Sequence, residues 1–427
     1  MRTRIEVTQR LKAGYRRAGK AEKSSILDTF CQSTGLARSS ARRYLTSPSL
    51  GVKNVVRMDR RKGRTTKYSP AAMEKLVWLW RVMCMPCGKY LVEDRASWIE
   101  ALEAHGELVR GQSGWTEEIR KELLSMSAAT VDRYLKTERD HLRLKGISAT
   151  KPGTLLRNSI RIRKAGDEME SEPGFFEVDT VAHCGPTLKG EFARTLTLTD
   201  VVTGWVHLEA IRNNAHVHIR KALDTAMDRI PYQVQSLDCD NGSELINYDV
   251  LNWAAGRQIF FTRARPYKKN DQAHVESKNN HAVRRYGYYY RYDTEEERAI
   301  LSALWKAVCL KLNYFTATKK PTGWSSDALG RRKRVYDIPQ TPLARLLKAE
   351  VLSDQQVKEL EQTRAAINPA MLTREITRLQ NMLTGLAKDK TDSLTAEVEE
   401  GKNRRLKNQK GGVKVVAEQS HPRSPQQ

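Results

Sequence analysis

The chain has 427 residues, too many for one compact domain, and carries 74 Lys and Arg against 50 Asp and Glu, a formal +24. That excess points to a polyanionic partner, nucleic acid first, although ribosomal proteins and basic tails share the signature. No apolar run approaches the ~18 residues a membrane span needs, and Met-Arg-Thr-Arg opens no signal peptide, so no membrane partner and a soluble intracellular protein are expected. Six scattered cysteines make no disulfide framework, and the CxxC of Cys84 and Cys87 has no second pair at zinc-finger spacing.

Residues 1 to 70 hold 18 Lys and Arg and 4 Asp and Glu. Within them, Ser25 to Cys31 reads as a helix, Thr34-Gly35 as a turn, and Ala37 to Leu45 as a second helix offering Arg38, Arg42 and Arg43 to DNA. Two short helices joined through glycine, the second one basic, make a helix-turn-helix pattern; an ordinary helical hairpin gives the same signal. Gly35 to Leu45 is echoed ninety positions on by Ser125 to Leu135, both ending in Ser/Thr-x-x-Arg-Tyr-Leu, which suggests a second such unit. Arg57 to Lys67 is a basic linker suited to a phosphate backbone or a minor groove.

From Phe175 the pattern turns to strands. Phe175–Ala182, Ala193–Thr199 and Trp205–Ile211 read as three antiparallel strands. A helix over 215–229, a strand over 234–239, a helix over 244–254, a strand over 258–262 and a long helix from Asp271 come next. That is the element order of a ribonuclease-H-like fold. Thr294 and Glu297 make a capping box for a further helix to about Tyr314. Residues 318–345, with Arg331-Arg-Lys-Arg334, read as a small basic module. Asn368-Pro369 starts a helix whose Leu372, Ile376, Leu379, Leu383 and Leu386 form a stripe, a hairpin face or a short dimer seam. The last ~37 residues read as disordered. The expected organisation is multidomain: all-α helix-turn-helix units at 1–66 and 67–150, an α/β ribonuclease-H-like core at 165–317, a basic and helical region at 318–390, and a tail at 391–427.

Three acids stand out. Asp179 sits mid-strand among apolar neighbours, where burial is costly unless a cation is held. Asp240 opens Asp-Asn-Gly-Ser-Glu at a strand end, where Gly242 permits a tight turn. Glu276 lies in Val-Glu-Ser-Lys-Asn, on one helical face with Gln272 and Asn279. Such carboxylates suit two Mg²⁺ ions, with Mn²⁺ able to substitute, for in-line phosphoryl displacement. Asp238 rivals Asp240 but precedes the turn, and Glu177 shares a strand face with Asp179. His183, Cys184 and Asp200 carry no independent functional signal.

Together these residues, with 35 positions between Asp240 and Glu276 and Pro266-Tyr267 upstream, resemble the retroviral-integrase superfamily and its bacterial insertion-sequence transposases. The resemblance covers about 175 to 290. It implies a DDE-type polynucleotidyl transferase acting on double-stranded DNA at transposon ends and target, with self-association on DNA and a place at the bacterial nucleoid. It also implies that Asp179, Asp240 and Glu276 are the catalytic metal ligands and that Lys278 contacts end DNA. Lys268 and Lys269 flank the third acid, and Arg284 to Tyr292 mixes arginines with five tyrosines that either stack on bases or pack internally. The histidine/cysteine zinc module of retroviral integrases has no counterpart in the sequence. A DNA-binding regulator without catalysis and a nuclease of RNA hybrids are the competing functions.

Overall fold

The computed structural model describes residues 2–47, 67–140, 161–163, 172–240, 242, 244–264, 272–326 and 332–411. The chain divides into two compact units, Met1–Lys67 and Tyr68–Gln427. Lys268, Lys269, Pro266, Tyr267, Arg331, most of the 57–67 linker and residues 412–427 lie outside the described residues.

The first unit is three helices: α1 (Arg2–Arg17), α2 (Lys20–Thr34) and α3 (Arg38–Thr46). Tyr15, Leu27, Phe30, Ala41 and Leu45 form its core, one apolar face from each helix. Gly35 ends α2 in the left-handed conformation (φ 66°), its N–H bonding Cys31 O at 2.8 Å, a geometry that suits glycine. Arg38, expected to face DNA, is joined to Asp28 and the Ser24 hydroxyl and ties α3 back to α2. Arg42 and Arg43 are exposed.

The second unit begins with α4 (Pro70–Val82), α5 (Gly88–Ala104), α6 (Glu117–Ser125), α7 (Ala128–Tyr134) and α8 (Lys136–Asp140). Ser69, Thr116 and Ser127 cap α4, α6 and α7 through their hydroxyls. Gly88 is a close approach, since a Cβ there would strike Ala128 O and the Asp132 carboxylate. These helices were expected to be a separate domain, but they belong to the same compact unit as the central sheet and the C-terminal helices. Trp98 Nε1 donates to Phe315 O at 2.9 Å, and Asp94 accepts the Ala317 N–H at 2.8 Å. Burying Trp98 and Phe315 edge-to-face, 5.7 Å apart, gains more than two exposed surfaces would.

The sheet has strands β1 (Arg161–Arg163), β2 (Phe175–Ala182), β3 (Arg194–Asp200), β4 (Val206–Ile211), β5 (Ser236–Cys239) and β6 (Phe260–Ala264). Their order is β1-β6-β5-β2-β3-β4, with β2-β3-β4 antiparallel and β1, β6, β5 and β2 parallel. The three antiparallel strands match the sequence expectation within a residue or so. The edge strand β1 was not foreseen, because three residues carry no usable alternation. Helices α9 (His216–Arg229) and α10 (Tyr248–Gly256) make the crossovers between the later strands. Leu237, Phe176, Leu198, Ile219 and Leu223 sit in the core beneath them.

After β6 comes α11 (Ala273–Lys278), which runs on through a π-helical stretch Asn279–Arg284 into α12 (Arg285–Gly287). α13 (Glu295–Phe315) starts with the capping box of Thr294 and Glu297 and packs against β4. Then come the hairpin β7 (Pro321–Ser326) and β8 (Arg332–Tyr336), α14 (Pro342–Lys348), α15 (Asp354–Ala366) and α16 (Pro369–Gly411).

Two expectations for α16 change. Ile376, Leu379 and Leu383 are buried in one cluster with Leu301, Leu304 and Val308 of α13, so most of the stripe is consumed within the chain rather than forming a dimer seam. The helix also continues through 391–411, where a disordered tail was expected; Thr391 is buried and bonds Arg291 N–H at 3.0 Å. Polarity hid this, since Lys, Glu and Ala are good helix formers and Glu400 pairs with Arg404 one turn on.

Candidate active site

β2 and β5 run parallel with Val178 opposite Cys239. The next residue on each strand is therefore an acid, Asp179 and Asp240, side by side. Each is partly buried. Burial, then the charge of Asp240, pushes the Asp179 carboxyl up to about 7, while N–H donation from Thr180 and Asn279 opposes the rise. Asp240 is raised too, by burial first and by Glu244, against the Gly242 N–H and Arg194.

Gly242 makes this corner possible. Its N–H donates to Asp240 Oδ1 at 2.7 Å, and a side chain at 242 would collide with both Asp240 and Glu244. The turn folds Glu244 back beside the pair, where it accepts from Thr180 Oγ1 at 3.1 Å and lies 3.5 Å from Arg194. Glu244 carries no signal of its own in the sequence beyond its place in Asp-Asn-Gly-Ser-Glu; the glycine two residues earlier is what permits the fold-back.

Asp238, the rival, is fully buried and occupied elsewhere. It accepts from Thr262 Oγ1 at 2.5 Å and Gln272 Nε2 at 3.3 Å, tying β5 to β6 and to the segment before α11. Glu177 is also buried, and its Oε2 accepts the N–H groups of His274 and Val275 at 2.9 Å each. It closes the open N–H groups at the start of α11.

Glu276 sits on α11, exposed to solvent. The α11 face instead presents Asn279, whose Nδ2 donates to Asp179 Oδ2 at 2.6 Å. Among the described residues no group of three His, Cys, Asp or Glu is placed to hold a metal ion. The structure thus brings Asp179 and Asp240 together, with Glu244 beside them, and leaves Glu276 one helical turn from the contact. Lys278 is half-buried, and burial lowers its ammonium to about 8. Of the five tyrosines, Tyr286 and Tyr292 are core residues, and Tyr292 OH donates to Gly287 O at 2.7 Å. Tyr289 is exposed, with the Arg284 guanidinium 5.0 Å from its ring.

A three-stranded antiparallel ribbon extended by parallel strands, with an acid inside β2 beside the acid that follows β5, defines an integrase-type core. The integrase core domain family model matches residues 170–269. The uncharacterized protein y4rM of Sinorhizobium fredii is 35% identical over 347 residues, 81% of this chain and 95% of that protein. The catalytic core domain of BIV integrase aligns with 16% identity over 42% of this chain and 95% of its own, at a TM-score of 0.29. The chain belongs to the integrase core family. Its activity class is accordingly DNA integration and recombination by polynucleotidyl transfer, in a family that typically uses divalent metals. Among the described residues no helix is long and apolar enough to cross a membrane.

Proposed function

We propose that this protein is a DNA transposase that cuts element ends and joins them to target DNA. The observation that carries the reading is the adjacency of Asp179, inside β2, and Asp240, just past the end of β5. Two neighbouring acids that resist ionisation together suit a hard divalent cation, and their oxygen-only donor set fits Mg²⁺ or Mn²⁺. Asp179, Asp240 and Glu276 would hold it, and it would supply Lewis acidity to displacement at phosphorus.

The chain's own residues prepare that site. Asn279 orients Asp179, the Gly242 N–H fixes Asp240, and Glu177 holds the first turn of the helix that carries Glu276. Arg194 sets positive charge beside Glu244 and Thr180, where a phosphate would approach. The three-helix unit, with Arg42 and Arg43 exposed on α3, supports recognition of end DNA, and the net charge of +24 supports a long duplex footprint. Joining two ends to one target needs paired active sites; with most of the α16 stripe spent internally, DNA is the bridge we assign between subunits at the nucleoid.

The test supplies the full-length protein with DNA from the ends of the element that encodes it. Mg²⁺-dependent cleavage and joining, blocked by EDTA, is expected. Tight end binding with no cleavage in Mg²⁺ or Mn²⁺ would point to a regulator instead.

A further inference from the structure

The β7–β8 hairpin stands apart from the core. Its strands pair in antiparallel register, Trp324 opposite Arg334 and Ser326 opposite Arg332, and nearly every residue on both faces is exposed. A two-stranded ribbon alone is marginal in water, so one this uncovered lacks the packing that usually justifies it. It also presents Trp324 and Tyr336 at 57% and 50% exposure, with Ile338 just after it at 69%, a costly choice for a surface with no partner.

Chemistry narrows the partner. Two guanidiniums lie near the Trp324 ring, Arg332 at 5.0 Å and Arg334 at 5.3 Å from its centroid, and Lys333, the residue between them on β8, alternates to the other face. A cation–π contact engages a guanidinium without using its N–H groups as hydrogen-bond donors, so they remain suited to phosphate oxygens. Three cations without an acid on either described strand complement a polyanion.

Position narrows it further. The ribbon's root is fixed by the Thr318–Gln340 bridge and by Lys320, whose ammonium meets Val201 O at the β3–β4 turn. Arg345 reinforces it through Thr318 and Asp337. That turn comes after Asp200, which pairs with Phe176, three residue steps and about 10 Å along the strand from Asp179. DNA on the ribbon is assigned as a duplex segment flanking the phosphodiester at Asp179.

We infer that the β7–β8 ribbon is a second duplex-DNA contact, in which Arg332 and Arg334 engage phosphates across a groove and Trp324 braces them. A ribbon of this kind fits the width of a B-DNA major groove. The inference rests on the transposase reading for its partner, and the experiment separates the two.

Full-length protein, Arg332→Ala/Arg334→Ala and Trp324→Ala are titrated against a labelled duplex extending about 40 base pairs inward from an element end, over a salt series. The exposed positions leave folding intact, which matched melting curves verify. Losing two phosphate contacts should flatten the slope of log Kd against log salt by about 2 and weaken binding at least tenfold. Trp324→Ala should weaken binding several-fold with a smaller slope change. Unchanged affinity and slope in the double variant, with normal binding by the parent protein, overturns the inference alone. Failure of the parent protein to bind the duplex overturns both readings. A change in self-association without DNA, in place of a change in DNA affinity, shows that the ribbon meets another copy of the chain and also overturns the inference.

Discussion

Glu177 on β2 takes the backbone N–H of Val275 at 2.9 Å, so the strand that carries Asp179 also holds the start of the helix that carries Glu276. Two acids of the same strand thus divide the work: Asp179 lies beside Asp240, and Glu177 anchors the helix that carries Glu276. Replacing Glu177 by Ala leaves two backbone donors without their acceptor, at about 1–3 kcal/mol each. Strand joining should fall by at least tenfold while end-DNA affinity stays within about twofold. A binding isotherm run beside a joining assay separates these effects.

Arg291 is the pin of the loop between β2 and β3. Its guanidinium donates to the carbonyls of Cys184, Thr187, Lys189 and Glu191 at 2.8–3.2 Å, and its Nε to Asp293 at 2.6 Å. An ammonium cannot span this set, so Arg291→Lys should free the loop and cost about 2–4 kcal/mol, as two or more buried acceptors lose their donor. Limited proteolysis should then cut within 184–191, where the parent protein resists.

His183 is buried, bonds Thr195 Oγ1 at 2.7 Å and packs against Tyr292, with burial lowering it to about 3. Unfolded, the ring titrates near its ordinary value of about 6.5. A depressed folded value means that its stabilising contribution is complete above about 6.5 and is lost as pH falls towards 3. His183→Gln should therefore lose less melting temperature than the parent protein between pH 7 and pH 4. Parallel pH dependence in the two would contradict the buried neutral ring.

Leu383 and Leu386 separate packing from surface on α16. Leu383 is fully buried, and truncation to Ala should cost about 2–5 kcal/mol. Leu386 is 41% exposed, and its truncation should cost under about 1 kcal/mol. Denaturant melts of the two variants check the difference, and equal losses would return the stripe to a subunit interface.

Much of the catalytic domain was legible in the sequence because its signals are local. Alternating strands, the Thr294 capping box and the Asp-x-Gly turn each depend on neighbours within a few residues. What escaped depends on distant partners. Residues 67–150 read as a separate domain because nothing local announces that Trp98 will meet Phe315. Arg38 read as a DNA contact, although Asp28 and Ser24, on the preceding helix, claim it. The adjacency of Asp179 and Asp240 follows from strand register, which sequence order implies, whereas the contact of Asn279 rather than Glu276 depends on the turn of one helix against one strand.

The most direct test of the account is a single-turnover joining assay with pre-bound end DNA in Mg²⁺, comparing the parent protein with Asp179→Asn, Asp240→Asn, Glu276→Gln and Asp238→Asn. Each of the first three should abolish joining at unchanged end-DNA affinity, and Asp238→Asn should lose melting temperature while its folded fraction still joins. Near-normal joining by Asp240→Asn or Glu276→Gln, or loss of joining by a stably folded Asp238→Asn, would contradict these assignments.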